Sequence, residues 1–236
     1  MKAIFFSDAH LDRGHGYKNR HVIRFLEDVC AGADTVVILG DLFEFYHGYE
    51  GYIFPWFQDV ADSLKNLTSK GTAVYFVEGN HEFNIGSYFE SYTGVTRPKN
   101  TSISIDGKMI FLAHGHELRN NYLVKALKTR FMSSVMDSFR PSLAWKAAAI
   151  GRVFLSKKKK PYNRKAMYFF RRYARQKFEE GFEAVILAHS HIPDRVEYDS
   201  GKGKKCYLNT GDIIQDSTYV EYNTETGFEI KKYSHR

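Results

Sequence analysis

Five short apolar runs in this chain each end abruptly in side chains able to bind a metal ion, and this repeated punctuation limits what the chain can fold into. Lys2 to Ser7 leads into Asp8-Ala9-His10. Thr35 to Leu39 leads into Gly40-Asp41, and Ala73 to Val77 into Glu78-Gly79-Asn80-His81-Glu82. Ser102 to Ile105 and Lys108 to Leu112 flank Asp106-Gly107, and the second of these runs ends in Ala113-His114. Ala184 to Leu187 leads into Ala188-His189-Ser190-His191. Short β-branched and aromatic runs bounded by Gly and Asp read as strands, and Asp-Gly between two of them reads as a hairpin turn. Between the first two runs, Val22, Ile23, Leu26 and Val29 recur at helical spacing, and Pro55 opens a second periodic stretch that reaches Leu67. Strands alternating with helices predict an α/β fold with parallel strands. Further strands are expected over 206–233, where Tyr219 to Tyr222 and Phe228 to Lys232 flank a turn.

Open α/β sheets collect their ligands at the carboxyl ends of the strands. If the five strands lie side by side, Asp8, His10, Asp41, Asn80, His81, His114, His189 and His191 converge. Imidazole nitrogen mixed with carboxylate oxygen suits Mn, Fe or Zn better than Ca or Mg. So many ligands exceed what one such ion takes. A carboxylate can bridge two ions, and two ions ~3.5–4 Å apart clamp a transferring phosphoryl group. Asp41, placed tightly after Gly40, is the natural bridge. Each motif alone is ordinary loop chemistry; five in order, each at a strand end, point to a site.

Charge divides the chain unevenly. Of 34 Lys and Arg, 17 lie between residues 118 and 180, with only Asp137, Glu179 and Glu180 to oppose them. Such asymmetry suggests two regions with different tasks: a core formed by 1–117 and 181–236, and a basic helical insertion over 118–180. The insertion carries apolar residues three and four apart, from Leu123 to Phe139, from Leu143 to Leu155 and from Met167 to Phe178, followed or interleaved by cations that include the Lys157 to Lys160 run. Two readings of it stand open. One is a helical hairpin packed on the core with a solvated basic face. The other is an amphipathic lid resting on an anionic membrane surface and admitting acyl chains. Nucleic acid is a third and less favoured partner. Cys30 and Cys206 form no disulfide framework or CxxC motif, so a reducing cytoplasm is the default compartment. No run approaches the roughly 18 apolar residues of a membrane helix, and Asp8 and His10 interrupt the apolar N-terminus too early for a signal peptide.

The succession Asp8-x-His10, Gly40-Asp41, Gly79-Asn80-His81, His114 and His189-x-His191 resembles the calcineurin-like metallophosphoesterases, over residues 8 to 191 and with Ala188 where that family usually has Gly. The resemblance implies a four-layer β-sandwich flanked by helices, carrying a helical lid insertion, and an enzyme with a dinuclear centre. Asp8, His10 and His191 would hold one ion, Asn80, His114 and His189 the other, and Asp41 both, with Mn²⁺ first and Fe or Zn as alternatives. Within that family the chain is most similar to the UDP-2,3-diacylglucosamine pyrophosphohydrolases of lipid A synthesis, on Gly40-Asp41-Leu42-Phe43-Glu44, on Gly79 to Gly86, and on the insertion after His114. Two departures stand out: His81 where that group has a substrate-facing Arg, and His114-Gly115-His116-Glu117 in place of His-Gly-Asp. Following the resemblance, His81 is the expected acid or charge-stabilising group and Glu44 its orienting carboxylate. Asn80, His81, His189, Asn163 and Lys165 are the expected substrate contacts. The implied reaction releases UMP and 2,3-diacylglucosamine 1-phosphate in the cytoplasm, with peripheral attachment to the inner membrane. The alternatives are a phosphodiesterase or nuclease acting on nucleic acid and, least favoured, a non-catalytic binding module.

Overall fold

The computed structural model describes residues 1–118, 135–146, 164–201 and 203–234, without the side chains of 164–166. The apolar helices expected over 123–134 and 147–155, the lysine run at 157–160, Asn163 and the Lys165 side chain lie outside the described residues.

The apolar runs become β1 (Lys2–Phe6), β2 (Thr35–Ile38), β4 (Ala73–Phe76), the hairpin β6 (Ser102–Ile105) and β7 (Lys108–Leu112), and β8 (Ala184–Leu187). Asp106 and Gly107 turn the hairpin with φ of 48° and 76°. Between the strands lie α1 (Gly16–Phe25), continued by a π-helical turn over Leu26–Cys30, then α2 (Gln58–Ser69), entered through a 3₁₀ turn at Pro55–Phe57, and α3 (Gly86–Thr93). Two short parallel strands, β3 (Tyr46–His47) and β5 (Glu82–Asn84), pair with each other beside the site. After the insertion come α4 (Arg164–Glu179), then β9 (Asp194–Asp199), β10 (Lys204–Asn209), β11 (Thr218–Asn223) and β12 (Gly227–Lys232).

Two five-stranded sheets result, ordered β12-β11-β1-β2-β4 and β6-β7-β8-β10-β9. Each has three parallel strands flanked by antiparallel ones. Strands covered on both faces carry unbroken apolar runs, as parallel strands do. In β1, Ala3 and Phe5 face the second sheet, where they meet Ile110, Leu112, Ile186 and Leu208. Ile4 and Phe6 face the other way, into a core shared with Val22, Phe25, Val60, Leu64 and Phe89 of the helices. On the outer side of the second sheet, Phe111, Val185, Leu187 and Tyr207 pack on Phe170, Ala174 and Phe178 of α4. The chain is thus an α/β/β/α four-layer sandwich. Its fourth layer is α4, whose apolar face is taken up by the sheet.

Register explains why the strand ends converge. Phe6 stands opposite Ile38 and Ile38 opposite Phe76 in the first sheet, and Leu112 opposite Ile186 and Leu187 opposite Asn209 in the second. Each sheet therefore ends its parallel strands in line, and the loops that follow meet at one rim of the sandwich.

The described part of the insertion before Arg164 also rests on the core. Trp145 lies 4.9 Å from Trp56 and 5.6 Å from Phe54 between ring centres, Ala144 is buried, and Asp137 accepts a 2.7 Å hydrogen bond from the buried His47. Among the described residues, no helix is long and apolar enough to cross a membrane.

Candidate metal centre

The loops at this rim are forced into unusual backbone shapes. Among the described residues, nine non-glycine positions have positive φ, and five of them are Asp8 (58°), His10 (45°), Asp41 (51°), His189 (68°) and His191 (56°). Left-handed conformations at residues with a β-carbon persist only where the surroundings enforce them, and they gather at functional sites. The spacing between loops is equally tight. A β-carbon at Gly79 would fall 2.1 Å from Asp41 Oδ1, and one at Gly40 would fall 2.5 Å from the Gly79 nitrogen. Only glycine at both positions lets the β2 and β4 loops touch.

Asp41 lies at the middle of the cluster. Its Oδ2 is 3.2 Å from His114 Nε2 and 3.9 Å from both His10 Nε2 and His81 Nε2, while its Oδ1 accepts the His81 N–H at 2.9 Å. Asp8 Oδ1 stands 3.4 Å from His191 Nε2 and 3.8 Å from His10 Nε2. His114 is wholly buried, with Nδ1 against the Leu39 carbonyl at 2.7 Å and Nε2 3.1 Å from His189 Nδ1. Three groups have ligand atoms close enough to share an ion: Asp8, His10 and His191; Asp41, His114 and His189; and His10, Glu44 and His81. The first holds the three side chains expected to share one ion, and the second holds Asp41 with two of the three expected to share the other, His114 and His189. Asn80 sits between Gly79, which abuts Asp41, and His81, which donates to it.

The donor set suits a pair of divalent cations. Asp8 Oδ1 and Asn80 Oδ1 are buried oxygens with no hydrogen-bond partner, an arrangement that protein interiors avoid unless something else satisfies the lone pairs. In the metal-free chain the carboxylates favour protonated rings beside them. Burial opposes charge on His10, but the Glu44 carboxylate 3.4 Å from its Nδ1 and the Asp41 and Asp8 carboxylates raise it to about 9. Burial is likewise overcome at His114, which Asp41 and Asp8 raise to about 10. Asp41 resists the burial that would raise it and is held well below the usual carboxylate range by His114 and His81.

His81 is held differently. Its Nδ1 bonds the Glu44 carbonyl at 2.6 Å, leaving Nε2 toward Asp41, and burial lowers its pKa. The Glu44 carboxylate spans two rings, with Oε2 3.4 Å from His10 Nδ1 and Oε1 3.6 Å from His81 Nδ1. The structure therefore brings together Asp8, His10, Asp41, Glu44, Asn80, His81, His114, His189 and His191. Ala188, where glycine was the usual residue, is buried between the sheets with its N–H bonded to the His114 carbonyl, so its methyl group is accommodated.

Two carboxylates behind this cluster escape a reading by motif. Glu82 is fully buried and accepts the N–H groups of Asp41, Gly79 and Phe43 at 2.9, 2.8 and 3.1 Å. Burial and the Asp41 charge push its carboxyl up, against those three donors. Asp212 Oδ2 lies 2.6 Å from His191 Nδ1. The signal for Asp212 was present, since Gly211-Asp212 closes the β10 run as Gly40-Asp41 closes β2.

A four-layer sandwich with a carboxylate-and-imidazole cluster at the joined rims of its sheets defines the metallophosphoesterase class. The chain belongs to the calcineurin-like phosphoesterase family, which it matches over residues 1–193. Curated relatives include the UDP-2,3-diacylglucosamine hydrolase of Aeromonas salmonicida, 34% identical over 116 residues, which are 49% of this chain and 45% of that one. The match thus spans about half the length of that relative. The enzyme of the same name from Aliivibrio fischeri is 25% identical over 245 residues, covering 94% of this chain and 95% of that one. Among solved structures, a novel archaeal phosphodiesterase superposes with a TM-score of 0.52 at 16% identity, over 98% of this chain and 99% of that one, which is likeness of fold.

Proposed function

We propose that the chain is a two-metal phosphohydrolase that cleaves the diphosphate of a lipid-linked nucleotide, UDP-2,3-diacylglucosamine, to UMP and 2,3-diacylglucosamine 1-phosphate. The observation that carries the chemistry is the pair of ligand groups Asp8-His10-His191 and Asp41-His114-His189, with Asp41 Oδ2 3.9 Å from both His10 Nε2 and His81 Nε2. The substrate rests on the end-to-end likeness to a hydrolase named for it. In this reading Asp8, His10 and His191 hold one ion, Asn80, His114 and His189 the second, and Asp41 both, with Mn²⁺ the favoured metal. When bound, such a pair neutralises charge on the phosphoryl oxygens and lowers the pKa of water toward ~7.

The chain's own groups do the rest. His81, anchored through Nδ1, presents Nε2 to the phosphoryl position. Its lowered pKa makes the protonated ring a strong donor, and an arriving diphosphate anion favours that form, so Nε2 can hand a proton to the leaving oxygen. Glu44 keeps the His81 and His10 rings in place. Asn80, His189, Asn163 and Lys165 complete the substrate contacts. The basic insertion over 118–180, lying between 1–117 and 181–236, serves as the lid in this reading, with α4 at its end docked on the second sheet. Tyr168 and Phe169, each 63% exposed on α4 with the exposed Arg172 one turn on, fit attachment to an anionic membrane surface. Nucleic acid has less support. Arg171 is paired with Asp194 and Lys177 with Glu180, so part of the described basic face is already neutralised.

The test is UMP release from UDP-2,3-diacylglucosamine in mixed micelles, with and without added Mn²⁺, beside a generic chromogenic phosphodiester. Metal-dependent turnover of the lipid nucleotide, with kcat/KM far above the generic ester, supports the reading. Turnover of the generic ester alone retains the centre and refutes the substrate.

A further inference from the structure

The loop between β10 and β11 places a carboxylate directly behind one of the presumed ligands. Asp212 is 2% exposed. Its Oδ1 accepts the N–H groups of Ile214 and Gln215 at 2.7 and 2.8 Å, and its own N–H donates to Thr218 Oγ1 at 3.2 Å. The next residue, Ile213, donates its N–H to the Ser7 carbonyl at 3.3 Å, so the loop is tied to the end of β1 beside Asp8. With Oδ1 committed to two amides, Oδ2 is left facing His191 Nδ1 at 2.6 Å. On the other side of the ring, Nε2 points to Asp8 Oδ1 at 3.4 Å.

We propose that Asp212 is a positioning residue that keeps the proton of neutral His191 on Nδ1 and turns the Nε2 lone pair toward the ion held with Asp8 and His10. The proposal rests on the two-ion reading of the site and adds to it an asymmetry between the two positions. His114 leans on a neutral main-chain carbonyl, that of Leu39. His191 leans on an anion, which strengthens the ring as a ligand and fixes its tautomer. His191 also has the greater need of an anchor. Its side chain is 38% exposed, against 0% for His114, so packing alone fixes it less. The ion shared by Asp8, His10 and His191 therefore depends on Asp212, and the ion shared by His114 and His189 does not.

Asn and Ala at this position separate positioning from a merely structural role, because the two roles rank them in opposite order. In Asp212→Asn the side-chain oxygen stays with the Ile214 and Gln215 amides, which outnumber the single ring N–H. The NH₂ group then faces Nδ1 and drives the His191 proton to Nε2, where it blocks the ligand atom. The same substitution behind a catalytic histidine is damaging for this reason. Asp212→Ala loses both amide contacts but leaves the ring free to turn. A structural role predicts that Ala is worse; the positioning role predicts that Asn is worse.

The experiment is equilibrium binding of Mn²⁺ alone to the full chain, read by competition with a chromogenic chelator, together with ¹⁵N spectra of the histidine rings in metal-free protein at a pH where His191 is neutral. The wild-type chain should bind two ions and carry the His191 proton on Nδ1. Asp212→Asn should weaken one ion by ~10–100-fold, leave the other unchanged, and show the proton on Nε2, with Asp212→Ala less affected. Two tight ions in Asp212→Asn, or Ala weaker than Asn, would overturn the proposal and leave the two-ion reading standing. A wild-type chain that binds no Mn²⁺ would overturn both. The wild-type spectrum decides even if neither variant folds, since a proton on Nε2 of His191 in that protein refutes the proposal directly.

Discussion

Removing the Glu82 carboxylate tests whether the centre is held together from behind. This one side chain satisfies three main-chain N–H groups drawn from two ligand-bearing loops, those of Asp41 and Phe43 after β2 and that of Gly79 after β4. Glu82→Ala leaves all three without a partner in a fully buried position. Each orphaned donor costs about 1–3 kcal/mol, so three give an upper range of about 3–9 kcal/mol. Water entering the space left by the side chain recovers part of this, and we expect a loss of about 3–5 kcal/mol. For a chain of this size that lowers Tm by roughly 6–20 °C. Glu82→Gln behaves differently. Its carbonyl oxygen can serve Asp41 and Gly79, as Glu82 Oε2 does, while its NH₂ confronts the Phe43 N–H. One contact is lost, but so is a negative charge beside Asp41, and the net change should stay near 1 kcal/mol. Urea unfolding in EDTA, followed by circular dichroism with the linear extrapolation, measures both. Repeating it with saturating Mn²⁺ should widen the gap between wild type and Glu82→Ala, because the loosened loops no longer place Asp41 and Asn80 for binding. If Glu82→Ala unfolds within 1 kcal/mol of the wild type in both conditions, the carboxylate is not the clip described here.

Replacing His81 with Ala should lower kcat by ~10²–10⁴ while two Mn²⁺ still bind; unchanged turnover would remove it from the chemistry. Metal binding should release protons: His10 and His114 are raised to about 9 and about 10 in the metal-free chain, so an ion entering at pH 7 must displace protons that it need not displace above pH 10. Affinity should therefore rise with pH through that window, and the heat of Mn²⁺ binding should vary with the ionisation enthalpy of the buffer; equal heats in all buffers would contradict it. Replacing Tyr168 and Phe169 together by Ser should reduce sedimentation with anionic liposomes and leave turnover of a soluble phosphodiester intact, and undiminished sedimentation would place membrane attachment elsewhere.

The parts of this fold visible in the sequence are those where local chemistry and tertiary position agree. Strands covered on both faces must be apolar throughout, so β1, β2, β4, β7 and β8 stand out as short runs, and their ends mark the site. The Asp106-Gly107 hairpin shows itself because two successive positive φ angles call for such residues. β9 shows no such run, because its residues alternate between half-buried and exposed at a sheet edge. β3 and β5 are too short to leave a pattern. Amphipathic spacing in α4 pointed to a helix but not to what its apolar face meets. The same Phe170, Ala174 and Phe178 could line a lid or cover a sheet, and the second is found. The roles of Glu82 and Asp212, though the Gly211-Asp212 motif is visible, were hidden for another reason. Their work is done toward main-chain amides and the far side of a ring, and only the folded loops reveal which groups those are.

The site shows how a fold can hold a geometry that its own backbone disfavours. Five of the presumed ligands sit at positive φ, each at a conformational cost on the order of 1–3 kcal/mol. Two rigid sheets in matched register deliver the loops to one rim, Gly40 and Gly79 let two of them touch, and Glu82 bonds their amides together. Asp8 is held in the same way, with Oδ2 receiving Ser7 Oγ–H and, at 3.1 Å, the His189 N–H, so a carboxylate from the first sheet anchors a loop of the second. Two ligand oxygens are left over, Asp8 Oδ1 and Asn80 Oδ1, buried and without a hydrogen bond. A site arranged in this way does not reorganise to receive its ions, which is the condition under which electrostatic stabilisation of a transition state is most effective.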